Sequence, residues 1–107
     1  MSTLEKLQRL ETLCASGYTD AFFDKALDKL ISHQIANQQS EIEVIRGDLR
    51  DFEEKYNLDS QTFFEKYQSG QMSDDADFVE WNALYKMYRR LRQRLEILQG
   101  KHHDPDS

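Results

Sequence analysis

Few residues in this 107-residue chain are of a type that does chemistry, and their spacing decides what they could do. Cys14 is the single cysteine, so no intrachain disulfide can form. A nucleophilic thiolate would need a nearby base, and none stands beside Cys14 in the sequence. It reads as a small residue on a helix. His33, His102 and His103 lack the i, i+4 repeat around a glutamate that zinc hydrolases use. Arg94 and His102 are eight residues apart, wider than the arginine-to-histidine spacing of some helical ribonucleases. The acidic run Asp74, Asp75, Asp77 and Glu80 lacks the ligands alternating about a glycine turn that a calcium loop requires. Neither a nucleophile-elbow nor a phosphate-loop glycine pattern is present. The expectation is a protein that is not an enzyme, with no catalytic residue, no cofactor and no metal.

Charge gives a second set of candidates. Residues 1–85 hold 8 basic and 17 acidic residues, a net of −9, whereas residues 86–101 hold 6 basic and 1 acidic, a net of +5. The whole chain carries −6, which repels phosphate backbones and argues against general nucleic-acid affinity. The exception is a stripe of Lys86, Arg89, Arg90, Arg92 and Arg94 on the outer side of one helix. Its plain reading is a solvated face paired with carboxylates such as Glu41. Its functional reading is a set of phosphate contacts through Arg89, Arg90, Arg92 and Arg94, as in a DNA-binding autorepressor. No recognition helix after a short glycine turn accompanies it.

The elements that would position these residues are helices. Ser2 and Glu5 have capping-box spacing, and Leu4, Leu7, Leu10 and Leu13 form an i+3 stripe that stops at Gly17, predicting a helix over 3–15. Thr19 or Asp20 opens a long helix reaching Tyr56, with Phe22, Phe23, Ala26, Leu27, Leu30 and Ile31 on a broad apolar face. Asp59 caps a short amphipathic helix ending at Gly70, and Ser73–Asp77 opens a last helix running to about Gln99. Gly47 interrupts the long helix at a cost of up to about 1 kcal/mol relative to alanine, and close packing, a slight bend or nothing could account for it.

Two apolar rows alternate in steps of four and three: Ile31, Ile35, Gln38, Ile42, Ile45, Leu49, Phe52, Tyr56, and Trp81, Leu84, Tyr88, Leu91, Leu95, Leu98. Antiparallel pairing at a residue-number sum of 133 opposes Phe52 to Trp81, Leu49 to Leu84, Ile45 to Tyr88 and Ile42 to Leu91. The expected fold is all-α: a long antiparallel helical hairpin, coiled-coil-like, with a short amphipathic helix at its tip and an N-terminal helix. Residues 1–100 form one domain in this reading, and residues 101–107 a flexible tail. Gln38 is either a polar seam residue of the kind that selects register or oligomeric state, or a solvated residue at the open end of the hairpin. Apolar surface beyond the needs of one hairpin, on the first helix and around Phe22–Leu30, means that the first helix either folds back on the second or pairs between protomers, and a homodimer is the favoured expectation.

Composition agrees with a helical chain rich in surface: 38% hydrophobic, 32% charged, one proline and four glycines. No apolar stretch approaches the ~20 residues needed to cross a bilayer, and no apolar block follows a basic N-terminus. The expectation is a cytoplasmic protein with no membrane contact.

Phe52-Glu53-Glu54-Lys55-Tyr56-Asn57-Leu58-Asp59-Ser60, Phe63-Phe64-Glu65-Lys66-Tyr67, Gly70, Asp74-Asp75-Ala76-Asp77-Phe78-Val79-Glu80-Trp81 and Leu84-Tyr85 together resemble small helical antitoxin-like proteins of prokaryotic toxin-antitoxin modules. The resemblance covers Leu49 to Leu98, about half of the chain. In that group a helical arm ending in an F-E-x-K-Y element is followed by a short phenylalanine-rich helix and a D-D-x-D-F-x-E-W opening of a second arm. The resemblance implies a non-enzymatic protein that binds and neutralises a cognate toxin, commonly a nuclease or another translation-blocking enzyme. An acidic helical protein without catalytic groups suits a basic partner, since complementary charge steers encounter. The expected contact surface is Asp20, Phe22, Phe23, Asp24, Leu27, Asp28, Glu41, Glu43 and Asp48. A dimeric helical adaptor unrelated to toxins would use the same apolar surplus.

Overall fold

Helix ends in this chain lie where side chains or left-handed residues can satisfy free backbone groups. The structure, a computed structural model, describes residues 1–101. The expected tail residues 102–107, His102 and His103 among them, lie outside the described residues. Four helices appear in order: α1 (Thr3–Ala15), α2 (Ala21–Tyr56), α3 (Ser60–Gln68) and α4 (Ala76–Leu98). The fold is all-α, with no strand among the described residues.

Ser2 Oγ accepts from the Glu5 N–H at 3.1 Å, Asp20 Oδ1 from Phe22 at 2.9 Å and Asp59 Oδ2 from Thr62 at 3.0 Å. Each bond satisfies a donor that the first helical turn leaves free. At the other ends, Asn57 (φ +50°) follows α2 and Gly70 (φ +79°) follows α3. Those left-handed residues turn the chain so that Leu58 N–H reaches Glu53 O at 3.2 Å and Gln71 N–H reaches Lys66 O at 2.8 Å, the Schellman pattern. Helix α4 is capped differently, because Asp75 at its N-cap makes no side-chain capping bond. Two residues on, Asp77 accepts instead from Lys55 Nζ at 2.7 Å and from Tyr56 Oη, tying the start of α4 to the end of α2.

The described chain divides into two units, Met1–Ser32 and the part from His33 onwards. In the first unit no residue is buried. Most of its apolar side chains are wet, Leu4 being 64% exposed, Phe22 79% and Ile31 43%, whereas Phe23 and Leu27 are half-buried. Ile31, placed at the end of the expected seam, is therefore exposed and outside the core.

The second unit carries the core. Ile42, Ile45 and Leu49 of α2, Phe63 of α3, and Trp81 and Leu91 of α4 are buried, with Phe52, Tyr56, Leu84, Tyr88 and Leu95 packed against them. Trp81 and Phe63 are fully buried, their rings 3.8 Å apart and 5° from parallel. Phe52 and Tyr56 also stack on Trp81, at 5.6 and 5.9 Å. Aromatic side chains of this kind bury 150–250 Å² each, about 4–6 kcal/mol of apolar transfer apiece before the entropy of ordering them. One polar group sits within this layer. Ser60 accepts the Trp81 indole N–H at 2.9 Å, and its own backbone N–H donates to Glu53 Oε2 at 2.8 Å. The α3 cap, the end of α2 and the α4 tryptophan are thereby joined through one serine. Gln38 is half-buried, with its Oε1 shielded from solvent and unpartnered among the described residues. Around Gly47 nothing lies within 4 Å of where a Cβ would stand, so close packing does not explain that glycine.

Candidate partner-binding surfaces

The expected contact residues divide between the two units. In the first, Asp20 is occupied twice: Oδ1 caps α2 through Phe22 N–H, and Oδ2 accepts from Tyr18 Oη at 3.1 Å. That bond to a carboxylate holds the Tyr18 hydroxyl above its ordinary pKa, because ionising it would set two negative oxygens side by side. Asp20 is thus a local organiser of the turn. Phe23, Asp24 and Leu27 follow at helical spacing and, with Asp20, line an open groove of about 540 Å³. Cys14 and Tyr18 also line it, with Thr19 and Ala21, although none of these was among the expected contacts. Their signal was Gly17 (φ +97°), a stop whose left-handed turn sends the chain from α1 into α2. Phe22 and Asp28 do not line the groove. Phe22 precedes Phe23 by about 100° around the helix and stands in solvent.

In the second unit Glu43 pairs with Arg46 at 3.5 Å, one turn along the same helix, while Glu41 and Asp48 are exposed. Arg46 also donates to Tyr88 Oη at 3.4 Å, and this bond more than Glu43 moves its guanidinium above the ordinary pKa. The basic stripe of α4 separates as well. Lys86, Arg89, Arg90 and Arg92 line one open groove with Tyr88, Gln93 and Glu96, and Glu96 makes no ion pair with them. Arg94 turns to another with Arg90, Met87, Leu91 and Glu41. The expected pairing of this stripe with Glu41 is not formed. Among the described residues the ion pairs are Arg46–Glu43 and Lys55–Asp77, both outside the stripe. Arg89 instead lies 5.3 Å from the Phe64 ring centroid, a cation–π contact. The stripe therefore keeps its charge facing solvent.

The residues considered for catalysis or metals are dispersed. Asp74 is near Tyr67 Oη at 3.5 Å, whereas Asp77 is engaged by Lys55 and Tyr56. His33 is 3.4 Å from the Asn37 amide. Among the described residues no group of three or more His, Cys, Asp or Glu side chains could hold a metal ion, and no helix is long and apolar enough to cross a membrane.

Comparison with protein-family models, with curated proteins and with solved structures finds no match to this chain.

Proposed function

We propose that this chain is an antitoxin-like binding protein that performs no reaction and neutralises a cognate toxin, a nuclease or other translation-blocking enzyme, by covering it. One observation carries the reading: a first unit without a buried residue leaves Phe22 exposed and sets half-buried Phe23 and Leu27 in an open groove that Asp20 and Asp24 also line. Soluble chains rarely leave such apolar surface uncovered unless it meets another molecule, and carboxylates around it favour a basic one. Asp28, exposed one turn beyond Asp24, extends the acidic rim.

In this reading the second unit is the rigid scaffold, with α2 and α4 packed as an antiparallel, coiled-coil-like hairpin closed at its tip by α3. Three side-chain contacts support that arrangement, since partner numbers fall along α4 as they rise along α2: Arg46 meets Tyr88, Phe52 meets Trp81, and Tyr56 meets Asp77.

The test is co-expression with the product of the adjacent gene. The neighbour alone is expected to arrest growth, the wild-type chain to relieve the arrest, and Phe23→Ser with Asp24→Lys to lose that relief while the protein stays folded. A neighbour that is harmless alone, or whose toxicity persists beside this chain, defeats the proposal and leaves a helical adaptor in its place.

A second reading is favoured by the arginines that find no acidic partner: Arg89, Arg90, Arg92 and Arg94 as phosphate contacts for operator DNA. Salt-dependent mobility shifts of the upstream region, lost on replacing Arg89 and Arg90, would support it, and absence of any shift at low salt would remove it.

A further inference from the structure

Every residue of α1 is exposed, and the helix has only 13 residues, a length marginal in water without packing. Leu4, Leu7, Leu10 and Leu13 remain 64%, 46%, 37% and 41% exposed. Successive steps of three carry this stripe around half the helix, so it does not form one straight ridge. Heptad positions sort the side chains more fully. With Leu7 and Cys14 at position a and Thr3 and Leu10 at d, the residues Glu5, Gln8, Arg9 and Thr12 fall at b, c and f. Those four share one open side of the helix, where Thr12 Oγ1 donates to Gln8 O at 2.9 Å, so the outward face is polar. Leu4 and Leu13 then flank the seam at e and g. Lys6 takes the other g position and Glu11 the other e.

In a parallel pair of helices a g residue of one chain faces the e residue of the next heptad in the other chain, five positions on. Lys6 and Glu11 are five apart and opposite in charge. Two-fold symmetry makes this contact twice. An antiparallel pair would set g against g and e against e, and Lys6 would lose Glu11.

We propose that α1 is a homodimerisation helix: two copies of this chain pair their α1 helices in parallel, with Leu7, Leu10 and Cys14 in the seam and Lys6 of each copy beside Glu11 of the other. The inference rests on α1 and is independent of the toxin-binding reading, which uses the start of α2. Cys14, an exposed free thiol, sits at a seam position where parallel pairing brings the two sulfurs together. It also edges the groove at the start of α2, so each half of a dimer would present that groove beside the seam.

The experiment is sedimentation equilibrium of the full chain alone over about 5–300 μM. The wild type is expected to associate to a dimer, and a short bismaleimide to join Cys14 to Cys14 within it. Lys6→Glu or Glu11→Lys alone converts two attractive contacts into two repulsive ones and should weaken association roughly 4- to 30-fold. The double variant should return to near the wild-type value. Leu10→Asp should be monomeric throughout. Should that variant lose helicity, the charge exchanges carry the test alone, since both positions are exposed. A monomeric wild type overturns the proposal and leaves α1 covered by its own α2 or by another protein. A dimer indifferent to the exchanges, or one not restored by the double variant, overturns the parallel register.

Discussion

Replacing Ser60 by alanine should isolate the contribution of one buried hydroxyl. Trp81 is fully buried and Ser60 is 4% exposed, so the indole N–H that Ser60 accepts at 2.9 Å would have no water to turn to. The backbone bond from Ser60 to Glu53 survives the change, because it uses the main-chain N–H. Orphaning a buried donor costs about 1–3 kcal/mol, and at about 4–8 °C per kcal/mol for a unit of this size the midpoint should fall roughly 4–24 °C. The measurement is urea and thermal unfolding followed by far-UV circular dichroism. In the wild type and Ser60→Ala it is repeated by fluorescence, since Trp81 is the only tryptophan. A double-mutant cycle with Trp81→Phe separates the bond from general packing loss. Phenylalanine has no N–H to orphan, so Ser60→Ala should cost at least 0.5 kcal/mol less in that background, within the range of contacting residues. Equal costs in the two backgrounds, or a loss under about 0.5 kcal/mol in the wild type, would refute the reasoning that this serine holds the tryptophan.

Phe63→Ala, at a fully buried ring stacked 3.8 Å from Trp81, should cost about 3–5 kcal/mol. Phe22→Ala, at a side chain 79% exposed, should stay within about 0.5 kcal/mol, and denaturant melts compare the two. Gly47→Ala should raise stability by about 0.5–1 kcal/mol, because nothing stands where the new methyl would go and alanine removes backbone freedom from the unfolded chain. Asp77 is held below the ordinary carboxylate range, first by its bond from Lys55 and then by that from Tyr56. The carboxylate's contribution is therefore complete above its unfolded pKa and fades as pH falls through the lower folded value. Lys55 and Tyr56 are both raised, chiefly by their bonds to Asp77, so their contribution holds below their unfolded values near 10 and is lost as pH rises through the folded ones. Asp77→Asn should flatten both limbs in unfolding midpoints measured from pH 2 to 11, and a variant that keeps the wild-type acid limb contradicts this assignment.

What the amino-acid sequence marks on its own is local. Ser2, Asp20 and Asp59 as caps, and Gly17 and Gly70 as stops, act through bonds within five residues, so the sequence marks their positions. The α4 start was legible only in part. A run of carboxylates predicts a cap, but Asp77 is engaged by Lys55 and Tyr56 of α2, residues that spacing along the chain does not bring near. The candidate contacts show the same division. Phe23, Asp24 and Leu27 share a helix face and so share a groove, whereas Cys14 and Tyr18 join it because a left-handed turn at Gly17 redirects the backbone. Neighbouring charge along α4 was plain in the sequence, but whether Glu41 would answer it was not. The arginines find no acidic partner, and Arg89 lies over Phe64.

By itself, then, the sequence determined that this chain is helical, roughly where its helices begin and end, and which residues are apolar enough to be buried, because periodicity, capping and left-handed turns are properties of a few adjacent residues. Only tertiary structure decided which of those apolar residues leave water. Trp81, Phe63 and Ser60 form one sealed layer, while Leu4 to Leu13 and Phe22, equally apolar, stay exposed. Burial depends on what the other helices supply at each face, and that is a relation between distant segments that no local pattern encodes.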